Sequence, residues 1–426
     1  MDEPQWSIPP VARRTLPSGA RLAACHSTTS DTTVLSGLIV GGAALDPPHR
    51  AGLANLTASV ARRATASRSY DQIYDRLDAL GASLAMGAGT HAVSFSAKCL
   101  AEHWGTVAEL VTDVLRQASF PPDEFQRARG EALTSLREAD QSTRAVARRE
   151  LAHLVYPREH PYRWPPYGYH ESVAAIERDE LVACHRRLFR PDQLILSLVG
   201  NVPCEEALER LAELLEPWEA PDEPVPALDL AAQHPPEPQR TEVPMADKSQ
   251  ADLALGCKTI SRHHPDYYAL AQATHIVGGM GLMGRLGDNV RDRQGLAYYV
   301  FAQMQDAFGH ALWAVRAGVN PGNVERATSS ILDEIRRIQD QPVGEEELAD
   351  CQSHLVGVLP IRLETNDGLA ATLNGIELYH LGDDYVERYP RLVRAVDAES
   401  IQRAAQAHLT AERYSVAVAG PRGETG

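Results

Sequence analysis

A guanidinium and a phenol lie seven residues apart in the second half of the chain, within 277–299 (VGGMGLMGRLGDNVRDRQGLAYY). They belong to Arg291 and Tyr298, and both can donate hydrogen bonds to an oxygen that gains negative charge. Such a pair could bind a peptide carbonyl as it becomes an oxyanion. The structural alternative is a solvated helix arginine and a tyrosine packed on a strand.

Glycines are concentrated at the start of the same segment, at Gly278, Gly279, Gly281 and Gly284. The segment lacks the Gly-Lys-Ser/Thr sequence of a phosphate-binding loop and the spacing of a dinucleotide-binding loop. It predicts a flexible or tightly turned loop beside a substrate path.

No metal-binding motif is present in the sequence. None of the 16 histidines belongs to H-x-x-E-H or H-E-x-x-H, and the adjacent His263 and His264 would point apart on a helix or a strand. The six cysteines are scattered without C-x-x-C spacing, which indicates reduced thiols of a cytoplasmic protein. We therefore expect structural roles for the histidines and no metal bound by this chain.

Composition limits the class of partner. The net charge of −16 argues against nucleic-acid binding, which needs clustered Lys and Arg. No apolar run reaches the roughly 18–20 residues that span a bilayer, so no membrane segment is expected. With 426 residues, 44% of them hydrophobic, the chain can form two domains with separate cores.

Apolar periodicity predicts the elements that position these residues. A strand over 34–44 runs into a glycine turn, and an apolar-periodic helix follows over 51–66. Another strand is predicted over 91–99, and a helical run extends from Pro121 toward Tyr156. This mixture predicts an α+β fold, with helices on one face of a mainly antiparallel sheet.

An internal duplication relates 176–200 to 396–420 at an offset of 220 residues. Each segment predicts a helix, a short turn and an alternating strand, the second turn being Thr410-Ala411-Glu412. The proline-rich stretch 216–245 is typical of a linker. We predict homologous domains at 1–215 and 246–426; the alternative is two unrelated domains with chance similarity.

The strand, turn and helix over 34–66 resemble the opening of the pitrilysin/insulinase family, the inverzincins. Members of this family carry H-x-x-E-H, in which two His bind zinc and the Glu activates water. Here the three positions fall on Asn55, Ala58 and Ser59, and the position of the third zinc ligand falls on Ser135. Glu131 and Glu138 flank Ser135, but one carboxylate without imidazoles makes no zinc site. The resemblance thus implies that the zinc site is lost.

The second half is also similar to the family. The glycine-rich segment and the Gly-Leu-Ala-Tyr sequence match, and the family's Arg and Tyr, which bind substrate backbone and the tetrahedral intermediate, correspond to Arg291 and Tyr298. The strand that active members offer to substrate corresponds to 84–90, where the side chains differ. Strand addition through the backbone remains open there.

The resemblance implies a clamshell of two homologous domains and a non-catalytic subunit of a heterodimeric zinc peptidase, like the alpha subunit of mitochondrial processing peptidase. A homologous partner with H-x-x-E-H would hold the zinc, and a peptide would be the substrate. The alternative is a scaffold or peptide-binding protein without a catalytic role.

Overall fold

The structure is a computed structural model that describes residues 8–226, 228, 230, 237–409 and 413–421. The chain forms two compact units that are not continuous in sequence. Unit 1 comprises Met1–Leu136, Pro165–Leu228 and Val358–Glu387; unit 2 comprises Arg137–Trp164, Asp229–Gly357 and Arg388–Gly426. The chain passes from unit 1 to unit 2 between Leu228 and Asp229, within the predicted linker. Each unit also contains a stretch from the other half of the chain, which the predicted boundaries 1–215 and 246–426 do not include.

The elements are numbered in chain order. The strands are β1 (Val11–Thr15), β2 (Arg21–His26), β3 (Thr32–Val40), β4 (Ser83–Ala88), β5 (Ala92–Leu100), β6 (Leu194–Gly200), β7 (Arg240–Pro244), β8 (Ala251–Lys258), β9 (Ala297–Met304), β10 (Leu312–Val319) and β11 (Ser415–Gly420). The helices are α1 (Leu53–Ala61), α2 (Tyr70–Ala79), α3 (Trp104–Gln117), α4 (Pro122–Asp140), α5 (Thr143–Val155), α6 (His170–Ala174), α7 (Arg178–Leu188), α8 (Cys204–Leu215), α9 (Tyr267–Thr274), α10 (Val324–Asp340), α11 (Glu345–Leu363), α12 (Asn366–Leu378), α13 (Tyr385–Arg394) and α14 (Ala398–His408).

The two sheets share the topology of five strands, and the sheet of unit 1 has β1 as a sixth strand at one edge. In unit 1 the order is β1-β2-β6-β3-β5-β4, and in unit 2 it is β7-β11-β8-β10-β9. Each contains one parallel pair, β2 with β6 and β7 with β11, and the other neighbours are antiparallel. Two similar α+β units with mainly antiparallel sheets are thereby confirmed.

The duplicated segments occupy equivalent places in the two sheets. Helix α7 and strand β6 come from the first copy, and α14 and β11 come from the second. Both strands lie between the parallel neighbour and the long antiparallel strand of their sheet. The second predicted turn, Thr410-Ala411-Glu412, lies outside the described residues.

Helices cover both faces of each sheet, so the prediction that one face is covered is wrong. Strands β6 and β8 are buried at every position, which requires apolar neighbours on both sides. In unit 1, Leu35 belongs to the main core with α1 and α3, whereas its neighbour Val34 packs with Leu369 of α12. In unit 2, helix α5 covers the second face and buries Leu151 against Ala254.

The helix that covers each second face comes from the other half of the chain. Helix α12 packs on β3 and β6 of unit 1, and α5 packs on β8 and β11 of unit 2. The predicted helical run from Pro121 toward Tyr156 is therefore two helices, α4 and α5, which separate at Gln141-Ser142 and belong mainly to different units.

The six cysteines are all free thiols. Among the residues that the structure describes, no helix is both long enough and apolar enough to cross a bilayer.

Candidate functional site

Helix α1 carries the positions where the resemblance places a zinc motif. It begins after Gly52, whose φ of 96° lies in the left-handed region and whose Cβ would come within 2.9 Å of the Tyr167 carbonyl oxygen. The Asp46 carboxylate accepts hydrogen bonds of 3.1 Å from the Ala54 amide at the first turn. Burial raises the pKa of Asp46 to about 7, although backbone amide donors act to lower it.

The zinc-motif positions of α1 form part of the packed interior. Ala58 has no exposed surface and belongs to the main core of unit 1, whereas Asn55 and Ser59 are half-buried. Methyl, amide and hydroxyl groups replace the imidazoles and the carboxylate that zinc and its water require. The fourth position, Ser135, lies exposed on α4.

Asn55 has a structural function at the edge of the sheet. Its side-chain oxygen accepts a hydrogen bond of 3.1 Å from the backbone amide of Ala88, on the outer strand β4. The Gly89 amide donates to Ala92 of β5, and in an antiparallel pair bonded residues alternate, so the Ala88 amide points away from β5. Asn55 therefore occupies an outward-facing donor that an added peptide strand would use.

One of the two carboxylates that flank Ser135, that of Glu131, forms an ion pair with a buried arginine. Arg63 follows α1 with only 5% of its side chain exposed, and it forms ion pairs with Glu124 and Glu131 of α4. These two carboxylates raise the pKa of the Arg63 guanidinium, although burial acts in the opposite direction. Glu131 is thus held by a buried cation, while Glu138 lies exposed. The residues present do not fit the family's zinc site.

The glycine-rich segment of unit 2 forms helical turns instead of the predicted loop. It contains a π-helical turn (His275–Gly279), a 3-10 turn (Gly281–Met283) and a second π-helical turn (Gly287–Arg293). A Cβ on Gly278 would lie 2.6 Å from the Ala302 amide nitrogen of β9, so glycine permits a close approach to this strand. Gly284 also approaches a backbone closely, since a Cβ at this position would lie 3.1 Å from the Gly278 Cα.

Gly279 and Gly281 are required for other reasons. A Cβ on Gly279 would meet the His275 imidazole at 2.7 Å, and Gly281 has a φ of +61°. Three of the four predicted substrate-loop glycines, Gly278, Gly279 and Gly284, are therefore packed closely against neighbouring residues.

Arg291 and Tyr298 lie on either side of the turn into β9. Arg291 is half-buried in the second π-helical turn, and Tyr298 is the second residue of β9, with 80% of its surface exposed. Within the described part of the chain, neither side chain has a hydrogen-bond partner. Tyr298 also lines a cavity of about 370 Å³, together with residues 249–250, 295–297 and 318–320.

The next residue on β9, Tyr299, is a tyrosine with structural contacts. Tyr299 donates its hydroxyl to Asp252, and Arg144 of α5 both donates to this hydroxyl at 3.1 Å and lies 4.1 Å from the ring centroid. Successive side chains of a strand point to opposite faces, so Tyr298 faces outward while Tyr299 joins this network. Tyr298 is therefore not the packed strand tyrosine of the structural alternative.

One group of metal-ligating side chains was missed by the sequence analysis. In the part of the chain that the structure describes, His264, Asp266 and His408 form a cluster whose ligand atoms all lie within 4.8 Å of one another. His408 is 142 residues from Asp266 in sequence, so no local motif could have indicated this cluster.

Comparison with known proteins identifies the fold and the family. Residues 22–161 match the insulinase (peptidase family M16) model, and residues 175–355 match the peptidase M16 inactive domain model. A crystal structure of a peptidase M16 inactive domain from Pseudomonas fluorescens is similar to this chain, with a TM-score of 0.87 and 23% sequence identity. The superposition covers 97% of this chain and 98% of the chain from Pseudomonas fluorescens.

Curated relatives are similar to this chain over most of their length. An uncharacterized zinc protease of Mycobacterium tuberculosis (strain H37Rv) is 27% identical over 424 residues, covering 96% of this chain and 93% of the relative. A non-peptidase homolog of Helicobacter pylori (strain 26695) is 20% identical over 328 residues, covering 76% and 74%. With its duplicated α+β units and its M16 inactive domain, this chain belongs to the insulinase family, peptidase family M16.

Proposed function

We propose that this chain is the non-catalytic subunit of a heterodimeric zinc metallopeptidase that processes peptides. A homologous partner with H-x-x-E-H would hold the zinc, and this chain would contribute Arg291 and Tyr298 to the substrate. The observation that carries the proposal is the contrast between the two units. Buried Ala58 and half-buried Asn55 replace the metal chemistry in unit 1. In unit 2, the side chains of Arg291 and Tyr298 make no hydrogen bond to any residue that the structure describes.

The two retained groups are suited to a peptide carbonyl. A guanidinium and a phenol both donate hydrogen bonds, and donors placed in advance stabilise the negative charge that develops on the carbonyl oxygen. Removal of one such donor typically lowers turnover by roughly 10²–10³-fold. Zinc in the partner would polarise the same carbonyl and activate water.

The exposed position of Tyr298 favours a ligand from outside the chain. A tyrosine that is 80% exposed and lines a cavity of about 370 Å³ gains little packing energy from its own unit. Strand β9 is the outer strand of its sheet, so a peptide in extended conformation could lie near it. We expect the substrate to be a peptide or an unstructured segment.

The experiment reconstitutes the pair and follows cleavage of a fluorogenic peptide. The partner tested is a homologous protein with H-x-x-E-H from the same organism, co-expressed with this chain. In the complex, Arg291→Ala should lower kcat by about 10²–10³-fold while complex formation and the unfolding midpoint stay unchanged. Tyr298→Phe, which removes only the hydroxyl, should lower kcat in the same direction.

Arg293→Ala is the matched control, because Arg293 is exposed in the same π-helical turn and pairs with Asp288. It should leave kcat unchanged. If Arg291→Ala also leaves kcat unchanged, the donor role is wrong, and the scaffold alternative is favoured. If no complex forms with the partner, the heterodimer proposal is wrong.

A further inference from the structure

We propose that His264, Asp266 and His408 form a site for a divalent transition metal, with Zn²⁺ as the best-fitting ion. The site lies on unit 2, where Asp266 is the N-cap residue of α9 and His408 is the last residue of α14. It is separate from the positions on α1 and from Arg291 and Tyr298. It also departs from the expectation that this chain binds no metal.

The distances between the donor atoms fit a metal with small side-chain rotations. The Nε2 atom of His408 lies 2.8 Å from Oδ2 of Asp266, and Nδ1 of His264 lies 3.8 Å from the same oxygen. With bonds of about 2.1 Å, two ligands of tetrahedral zinc are separated by roughly 3.4 Å. The two observed distances lie on either side of this value.

The ligand types also match. Two imidazoles and one carboxylate form a common donor set for zinc and for other divalent transition metals, and three protein ligands leave a position open to solvent. The side chains of His264, Asp266 and His408 are 37%, 46% and 17% exposed, so an ion can reach them from water. The net charge of −16 further favours a cation.

Two hydrogen bonds must change when the ion binds. The Asp266 amide donates to Nδ1 of His264 at 3.1 Å, so this nitrogen carries no proton but its lone pair is engaged in the metal-free protein. Nε2 of His408 donates to the Asp266 carboxylate at 2.8 Å, so it must give up its proton to the solvent on coordination. The cost of these two bonds is small beside the binding energy of a three-ligand zinc site.

The backbone on both sides of the cluster is held in place. The Arg262 amide donates to Ala307 at 2.9 Å, and its buried guanidinium lies 3.9 Å from the ring centroid of Tyr267, the residue after Asp266. On the other side, α14 is anchored by its buried Ile401 and Ala405. Since both arms are fixed, binding requires little ordering of the chain.

The test uses the full chain, stripped of metal with EDTA, and Zn²⁺ or Co²⁺ alone as the probe. Calorimetry should show one equivalent of Zn²⁺, and Co²⁺ should give the visible d–d absorption of a site with imidazole ligands. Zn²⁺ should also raise the thermal unfolding midpoint, because an ion that binds only the folded state stabilises it.

Two variants test the assignment of the ligands. His408→Gln and Asp266→Asn should each weaken Zn²⁺ binding by more than about 100-fold, since loss of an outer-shell partner alone costs roughly 10–100-fold. Asp266→Asn keeps a good N-cap residue for α9, so it tests the site even if His408→Gln unfolds. His263→Gln removes the exposed neighbouring imidazole and should bind Zn²⁺ as the wild type does.

The proposal is overturned if the wild-type chain binds no stoichiometric Zn²⁺, or if both ligand variants bind it with unchanged affinity. The measurement needs no partner subunit and no peptidase activity. Its failure would therefore leave the proposed function untouched, and failure of the proposed function would leave this site untouched.

Discussion

The open edges of the two sheets have the same topology and different chemistry. In unit 1, the outer strand β4 lies beside α1, and Asn55 occupies the outward-facing amide of Ala88. In unit 2, the outer strand β9 lies beside a π-helical segment, and Tyr298 at its start is exposed. At the first edge an internal side chain therefore binds the free amide, whereas at the second the side-chain donors have no hydrogen-bond partner among the described residues.

This difference shows how a duplicated fold can lose a reaction and keep part of a site. A metal site depends on every ligand, so replacement of its imidazoles frees the remaining positions to pack as core. Hydrogen-bond donors act one at a time and can serve a reaction whose metal another chain holds. Substitutions in the two units can remove the contrast between the two edges or measure its size.

The largest effect is expected for Ala58→Glu, the substitution that would restore the family's Glu. Ala58 has no exposed surface, so the new carboxylate would be buried without a partner. We expect the free energy of unfolding to fall by at least about 3 kcal/mol, measured by urea denaturation. Ser59→Glu, one residue along the same helix and half-buried, should cost about 1 kcal/mol. Equal costs for the two variants would show that Ala58 is not a core position.

The pH dependence of unit 1 should reflect Asp46. Because the pKa of this carboxyl is raised from 3.8 to about 7 in the folded state, the folded protein retains a proton that the unfolded chain has lost. Asp46 therefore contributes a fall in the free energy of unfolding as pH rises from about 4 to 7, by up to about 1.4 kcal/mol per pH unit. Three wholly or partly buried histidines, His91, His185 and His275, have pKa values lowered to about 4 and contribute slopes of the opposite sign, so the Asp46 contribution is measured as the difference between wild type and Asp46→Asn.

Asp397 provides the control with the opposite sign. It caps α14, the duplicated helix of unit 2, and its hydrogen bond from Ser400 lowers its pKa below 3.8. Its contribution is present above the unfolded pKa and is lost as pH falls through the folded one. Equal slopes between pH 4 and 7 for wild type and Asp46→Asn, or a change of slope in this range in Asp397→Asn, would contradict this assignment.

Gly278→Ala tests the close contact between the π-helical segment and β9. The added methyl would meet the backbone nitrogen of Ala302 at 2.6 Å, and a strand backbone cannot move aside cheaply. We expect a loss of about 2 kcal/mol in the free energy of unfolding. Gly357→Ala, at an exposed helical position with open space, should instead stabilise by about 0.5–1 kcal/mol. A neutral Gly278→Ala would indicate that the segment is loosely packed.

The smallest effect is expected for Asn55→Ala. Loss of the acceptor leaves the Ala88 amide without its hydrogen bond, at a cost of about 1 kcal/mol. Hydrogen exchange at Ala88 should become faster, while Asn55→Asp, which keeps an acceptor oxygen, should retain most of the protection. Unchanged exchange in Asn55→Ala would show that Asn55 does not close this edge.

Much of the fold could be predicted because periodicity and turn residues are local signals. The strand over 34–44 and the helix over 51–66 correspond to β3 and α1, and the offset of 220 residues corresponds to two equivalent helix–strand pairs. The mostly apolar sequence of β6, LILSLVG, is a local signal for helices on both faces of its sheet. Strand β8 is buried at every position as well, but its Asp252 and Lys258 interrupt this signal in the sequence.

The site was less predictable, because its contacts join distant parts of the chain. The pairing of Arg63 with Glu131 spans 68 residues, and that of Asp266 with His408 spans 142. The residue types at Asn55, Ala58 and Ser59 indicated that zinc ligands are missing, but only coordinates show that Asn55 bonds the edge of the sheet. The π-helical turns have no sequence signal as strong as that of an α-helix, so glycines there were interpreted as a loop.

The most direct test of the division between the two chains is a titration. A fixed amount of the H-x-x-E-H partner is mixed with increasing amounts of wild-type or Arg291→Ala chain, and peptide hydrolysis is measured in the presence of Zn²⁺. We predict no hydrolysis by this chain alone, a plateau near one equivalent of wild type, and an Arg291→Ala plateau lower by about 10²-fold or more at the same saturation point. Hydrolysis by this chain alone, or equal plateaus for the two proteins, would contradict the account.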